Sequence, residues 1–122
     1  IQKKINEQRL QEIEKIKNER ELSIKESIRI LARAVINKQC EVSEGCIRIK
    51  KLADLIEIDI SGSLKIINTL YDMIKDFAIL EDRNSLEKQE KFSQDKERFR
   101  IEDKYFLEFS QACEKLLLAL DH

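Results

Sequence analysis

The chain has 122 residues, which is enough for one domain with a modest core but not for two. Charged residues make up 39% and hydrophobic residues 42%, and two glycines with no proline leave few interruptions to a helix. The net charge of −1 excludes the strongly basic field that recruits nucleic acid. No apolar run reaches the roughly 18 residues that a membrane-spanning helix needs. This composition predicts an all-α protein.

The first predicted helix covers residues 1–38. Ile24, Ile28, Leu31 and Val35 recur at spacings of four, three and four residues, which is the period of one helix face. At about 1.5 Å per residue this helix would be about 57 Å long, which is longer than a small domain is wide. We therefore expect residues 1–22 to project as a helical stalk. Self-association of this segment as a coiled coil is an alternative, and apolar heptad positions that are not sustained count against it.

Residues 39–46, with the sequence QCEVSEGC, predict the corner between the first helix and the second. Ser43 is a candidate N-cap for a second helix over residues 44–57. Gly45 is instead a candidate for the end of the first helix, because glycine commonly follows the last helical residue. The sequence does not separate these two positions for the boundary.

Two further helices follow the corner. A break at residues 59–63, with Ser63 as the N-cap, precedes a third helix over residues 64–80. After a turn, Asn84 and Glu87 resemble a capping box at the start of a long last helix that runs to about residue 120.

Four amphipathic helices must bury their apolar faces against one another. The predicted fold is therefore a single all-α domain over residues 1–122, an antiparallel bundle of about four helices in which long first and last helices bracket two short central ones. The expected core residues are Ile28, Leu31, Val35, Leu52, Leu55, Ile67, Leu70, Ile74, Phe99, Phe106, Phe109, Cys113 and Leu116.

Cys40, Glu41, Glu44, Cys46 and Arg48 form a candidate redox or interaction site at the corner. In one continuous helix the two cysteines would lie about 120° apart and about 9 Å along the axis, too far for a disulfide. Only a turn between them brings the thiols together. Zinc prefers four ligands, and the single histidine is the last residue, so no metal is expected. Lone cysteines commonly pack as small hydrophobic residues, so a structural corner is the main interpretation and a thiol-based redox sensor the alternative.

The sequence contains no set of residues typical of an enzyme. A Glu-x-x-His motif, a glycine-rich phosphate loop and a Ser/His/Asp set are all absent, so neither catalysis nor a cofactor is expected. Basic residues near the corner could bind an anion beside the second helix, although neighbouring glutamates favour solvated side chains. These basic residues are Arg29, Arg33, Arg48, Lys50 and Lys51.

Two parts of the chain resemble a known family. Residues 26–34 (ESIRILARA) and 39–50 (QCEVSEGCIRIK) are similar to the central motif of domain-of-unknown-function family 2489, a gammaproteobacterial family, and residues 96–102 (KERFRIE) resemble its carboxy-terminal signature less specifically. The resemblance implies a small bacterial helical domain, often preceded by a hydrophobic segment that tethers it to the inner membrane, facing the cytoplasm. It implies no catalytic residue, because the family has no established activity.

The sequence thus predicts a non-enzymatic helical protein-interaction or scaffold domain, the cytoplasmic part of a membrane-tethered bacterial protein. The expected partner is a protein or a second copy bound through the long helices, without nucleic acid. Contact with the membrane is expected only through a segment absent from this chain. The expected location is the cytoplasmic side of the inner membrane or the cytoplasm. The alternative function is a redox sensor that uses Cys40 and Cys46.

Overall fold

The computed structural model describes residues 2–58, 60–77 and 86–121, and in it four helices pack side by side as a bundle. No strand occurs among these described residues. The predicted all-α fold, with long first and last helices and two short central ones, is confirmed. The helices are α1 (Gln2–Ile36), α2 (Val42–Ala53), α3 (Ser61–Ile74) and α4 (Lys88–Leu120).

Contacts along α1 and α4 show that these two helices run in opposite directions. The Arg29 guanidinium in α1 donates to the carbonyl of Leu120 at the end of α4, at 2.6 Å. Lys38 follows the end of α1, and its ammonium lies 5.1 Å from the centroid of the Phe106 ring, near the middle of α4. Residues 2–20 therefore extend past the end of α4, and every one of them is exposed.

The core is formed by side chains from all four helices, and most of the predicted core residues lie in it. The members with 1% exposure or less are Ile28, Val35, Ile67, Leu70, Ile74, Phe109, Cys113 and Leu116. Three more predicted members are partly buried at its edge, namely Leu31, Leu52 and Phe106.

Two predicted core residues, Leu55 and Phe99, are exposed, and for them the prediction was wrong. Leu55 is 59% exposed because α2 ends at Ala53, so Leu55 no longer follows the helical face. Phe99 is 49% exposed. It follows the buried Arg98, and one residue along a helix turns the side chain by about 100° away from the core.

The boundaries of α2 differ from the prediction of residues 44–57. Glu41 occupies the N-cap position, and Ser43, the predicted N-cap, is the second residue of the helix and is fully buried. Gly45 also lies inside α2 and does not end α1. A Cβ at Gly45 would clash with the Val35 side chain, so this glycine permits α2 to pack closely against α1.

The third helix also starts before its predicted N-cap and ends before residue 80. Ile60 is the N-cap, and Ser63 is the third residue of α3, where its hydroxyl donates to the Ala112 carbonyl of α4 at 2.8 Å. The predicted turn at residues 81–84, and with it Asn84 of the capping box, lies outside the described residues. Glu87 is the N-cap of α4 but makes no side-chain capping hydrogen bond.

None of the helices in the described ranges combines the length and the apolar character that crossing a bilayer requires.

Candidate functional site at the corner between α1 and α2

The corner forms where α1 is ended by a backbone turn. Lys38 has a φ of 59°, in the left-handed region that residues with a side chain seldom adopt. The amides of Gln39 and Cys40 both donate to the Ala34 carbonyl, at 2.7 and 3.1 Å. One of the free carbonyls at the helix end is thereby satisfied, and the chain turns into α2. The QCEVSEGC stretch therefore contains both the bend and the first turn of α2.

Arg98 of α4 inserts into this corner. It is 4% exposed, and its Nη1 lies 2.5 Å from Oε2 of Glu41 and 2.9 Å from Oε1 of Glu102. Its Nη2 lies 3.3 Å from Oδ1 of Asp95. A buried cation is costly unless it is paired, and here three carboxylates surround one guanidinium. Arg98 therefore connects α4 to the residue that caps α2.

Glu102, one turn after Arg98, lies at the N-terminus of α2. It is 8% exposed, and burial raises its pKa, while the Arg98 guanidinium, the Ser43 hydroxyl and the Val42 amide act to lower it. Glu41 makes no side-chain capping hydrogen bond of its own. Because the free N–H groups of a helix N-terminus favour negative charge, Glu102 of α4 acts as a tertiary cap for α2.

The Ser43 hydroxyl belongs to the same cluster. It is buried and completes no hydrogen bond of standard geometry within the described part of the chain, although it lies close enough to Glu102 to lower the pKa of that carboxyl. The Ser43 hydroxyl thus points towards Glu102 of α4, and it does not cap the backbone of its own helix.

Sequence reasoning missed Arg98 and Glu102, because the expected core included only apolar residues and a cysteine. A signal was nevertheless present. Ile101 and Glu102 follow Arg98 by three and four residues, and Phe109 follows it by eleven, so all four lie on the same face of α4. Arg98 and Glu102 both lie in the KERFRIE segment, which the sequence analysis identified only by its resemblance to a family.

The sequence placed two glutamates in the candidate site, and they pair with two different arginines. Glu41 pairs with Arg98 in the packed corner, whereas Glu44 pairs with Arg48 at 2.9 Å on the surface of α2. Each acidic side chain is thus paired with an arginine, and both lie near enough to Cys40 to raise the pKa of its thiol.

The two cysteine side chains of the corner have different environments. Cys40 is half-buried, and its thiol donates to the Glu41 carbonyl at 3.5 Å. Cys46 is fully buried, and its thiol donates to the Ile67 carbonyl of α3, also at 3.5 Å. Both are free thiols, as is the buried Cys113 of α4.

The surroundings of these thiols favour the protonated form. Burial and the neighbouring Glu44 raise the pKa of Cys40. Burial raises the pKa of Cys46 to about 12, and it raises the pKa of Cys113 to about 12 as well. The thiolate is the reactive form of cysteine, so these environments do not activate the thiols. Redox sensing by Cys40 and Cys46 stays a prediction.

The basic residues of the suggested anion patch are largely paired. Arg29 contacts Glu26 at 3.1 Å and Asp121 at 3.4 Å, in addition to its carbonyl contact. Lys50 pairs with Asp54 at 3.4 Å. Among the described residues, no group of three or more side chains is arranged to hold a metal ion.

Comparison with known proteins matches residues 1–116 to the family DUF2489, described as a protein of unknown function. An uncharacterized protein of Haemophilus influenzae is 37% identical over 83 residues, which cover 68% of this chain and 56% of that protein. The matched region thus spans about half the length of that relative. No solved structure matches the chain. Both motifs that suggested the family, around Cys40 and around Arg98, lie within the matched residues and meet at the corner. The chain belongs to the DUF2489 family.

Proposed function

We propose that this chain is a non-enzymatic helical interaction domain that binds a protein partner through the first half of α1. The observation that supports this proposal is the exposed apolar surface of residues 2–20. Ile5, Leu10, Ile13 and Ile16 are between 43% and 65% exposed. Isolated helices gain little stability without packing of an apolar face, so a partner that covers these side chains would stabilise the segment.

The exposed apolar residues partly continue the face that packs in the bundle. Leu10 precedes the buried Ile28 by 18 residues, which is about five helical turns, so the two point in the same direction. Ile13 precedes the buried Ile24 by 11 residues, about three turns. The core-facing stripe of α1 therefore extends beyond the bundle, where no other described helix covers it. Pairing of two such segments as a coiled coil stays a prediction.

The same proposal includes a location on the cytoplasmic side of the bacterial inner membrane or in the cytoplasm. Three free cysteines support a reducing compartment. Lys3 and Lys4 are of the residue type that is enriched on the cytoplasmic flank of a membrane segment. The tether itself would lie outside this chain. The proposal includes neither nucleic acid nor a cofactor.

Site-specific photocrosslinking in bacterial cells tests the proposal. A photoreactive residue replaces Leu10 or Ile13 in turn, and Asp72 on α3 is the matched exposed control on the bundle. We expect one discrete protein adduct from positions 10 and 13, absent at position 72 and lost when Ile16 is replaced by Glu. Equal adduct patterns at all three positions, or no adduct at positions 10 and 13, would contradict the proposal.

A further inference from the structure

One flank of α4 exposes two phenylalanines. Phe92 is 72% exposed and Phe99 is 49% exposed. They are seven positions apart, so they lie within about 20° of each other around the helix. Phe106, a further seven residues on, is partly buried and lies below the Lys38 ammonium. The aromatic line therefore begins at the edge of the core and leaves it towards the start of α4.

Two charged residues of opposite sign lie on the same flank, outside the two phenylalanines. Lys88 precedes Phe92 by four residues, and Asp103 follows Phe99 by four. Both side chains are exposed, and neither forms an ion pair within the part of the chain that the structure describes. The flank therefore presents a cation, two aromatic rings and an anion along one side of the helix, with Asp95 and Lys96 between the rings.

This order is self-complementary. Phe92 and Phe99 lie at equal distances on either side of the midpoint between residues 95 and 96, and so do Lys88 and Asp103. A second α4, rotated by 180° about an axis through that midpoint, places its Phe99 against Phe92 and its Asp103 against Lys88. The same two contacts then occur a second time, as a two-fold axis requires.

We infer that this flank is a homodimer interface, in which α4 pairs antiparallel with α4 of a second copy. Each dimer would contain two Phe92–Phe99 contacts and two Lys88–Asp103 ion pairs. The occupant of the flank is a second copy, because the charge pattern matches its own inverted order. The interface uses a different helix from the α1 segment of the proposed function and does not depend on it.

The paired segment lies mostly before the fully buried part of α4. Arg98 is the first fully buried residue of α4, and Lys88 and Phe92 lie before it with exposed side chains. In the rotated copy, Arg98 lies level with residue 93 of the first chain. The two bundles therefore lie at opposite ends of a paired segment that is 16 residues, or about 24 Å, long. A contact of this size is small, so we expect a reversible dimer whose population depends on concentration.

Sedimentation equilibrium of the full chain tests the inference with charge reversal. Lys88→Glu alone, or Asp103→Lys alone, creates two like-charge pairs in each dimer, and we expect either to raise the dissociation constant at least tenfold. The double variant Lys88→Glu/Asp103→Lys restores opposite charges, and we expect a dissociation constant within about twofold of the original protein. Such reversal and rescue distinguishes this register from a general effect of charge.

Two apolar variants complete the experiment. Phe92→Ser should abolish the dimer, whereas Leu118→Ser, which changes a similarly exposed residue of α4 outside the paired segment, should leave it unchanged. All these residues are exposed, and circular dichroism verifies that each variant folds. A monomer at every concentration up to millimolar, a dimer insensitive to Phe92→Ser, or a double variant that does not recover would each overturn the inference. A dimer lost instead in Leu10→Glu would overturn it and assign association to α1.

Discussion

The Arg98 guanidinium of α4 and the Glu41 carboxylate before α2 form an ion pair, with 2.5 Å between Nη1 and Oε2. The arginine side chain is 5% exposed, whereas the glutamate side chain is 55% exposed. The pair therefore joins the interior of the corner to its surface. Glu102 provides the second, more deeply buried partner. Packing of α4 against the bend depends on this cluster as well as on apolar contact.

Replacement of Arg98 by alanine should strongly destabilise the protein. It leaves Glu102 buried without its cation, and breaking a buried pair on one side costs about 3–5 kcal/mol. Urea denaturation measures the loss in the free energy of unfolding. The matched control is Arg100→Ala, which removes an exposed ion pair with Glu97, and exposed pairs contribute about 0–1 kcal/mol.

If Arg98→Ala costs no more than Arg100→Ala, the cluster does not hold the corner. A further variant separates loss of charge from loss of packing. Arg98→Met/Glu102→Leu removes both charges and keeps much of the volume, so it should recover most of the lost stability.

The pH dependence of stability should reveal the buried state of Glu102. Its pKa is raised by burial above the ordinary value of 4.5, so the folded protein holds this proton more tightly than the unfolded chain does. The contribution of Glu102 to stability is therefore fully present when the pH is below the ordinary pKa. It is lost as the pH rises through the raised pKa of the folded protein. Between pH 4 and pH 7, the native protein should therefore lose more stability than Glu102→Gln.

Glu97 provides the opposite case within the same helix. A hydrogen bond from Arg100 lowers the pKa of its carboxyl. NMR titration of the glutamate side chains should place Glu102 above the ordinary value and Glu97 below it. A Glu102 that titrates below Glu97 would contradict the environment described for the corner.

Replacement of Gly45 by alanine should destabilise the protein although alanine is the better helix former. The added Cβ clashes with Val35 of α1, and overpacking of this kind costs about 1–3 kcal/mol. Gly62→Ala is the matched control, because a Cβ there meets only the Lys115 side chain at 3.6 Å, an ordinary contact. Thermal unfolding should show a lower midpoint for Gly45→Ala and an equal or higher one for Gly62→Ala.

The double variant Gly45→Ala/Val35→Ala tests whether the clash causes the loss of stability in Gly45→Ala. It removes the clashing methyl groups, so it should be more stable than the sum of its single changes implies. Strict additivity would mean that the close approach of α2 to α1 does not need a glycine.

Thiol labelling should distinguish the cysteines of the corner. Cys46 and Cys113 are fully buried with raised pKa values, so they should react with a disulfide reagent only after unfolding. Cys40 is half-buried and should react first, yet more slowly than a cysteine in a short peptide. Mass spectrometry of time points at neutral pH, with Cys40→Ser as the control, assigns each rate. Rapid labelling of both Cys40 and Cys46 would instead favour the redox alternative.

The sequence predicted the bundle because burial follows a period that can be read directly. Ile28 and Val35, or Ile67, Leu70 and Ile74, recur every three or four residues, and each of them is fully buried. The helix ends were harder to predict. Ser43 and Ser63 match the local pattern of an N-cap, yet each is buried against another helix, and Ser63 donates to Ala112. A local pattern does not show that a hydroxyl is used in a tertiary contact.

The cluster at the corner was beyond prediction for a related reason. A buried Arg98 and an exposed Arg100 have the same chemistry in the sequence, and they lie two positions apart. Only the three-dimensional approach of Glu41, 57 residues away, distinguishes the first from the second. Periodicity assigned Phe99 to the core for the same reason, since it marks apolar residues and ignores charged residues that share the buried face.

The cap that Glu102 provides for α2 couples distant parts of the chain during folding. With 12 residues, α2 is at or below the length at which isolated helices become even marginally stable in water. Its N–H groups find their carboxylate only when α4, which follows the other three helices in the chain, docks. Amide protons of α2 and of the middle of α4 should therefore exchange with solvent as a single cooperative unit. In a nascent chain that ends before α4, the N-terminus of α2 lacks the Glu102 carboxylate.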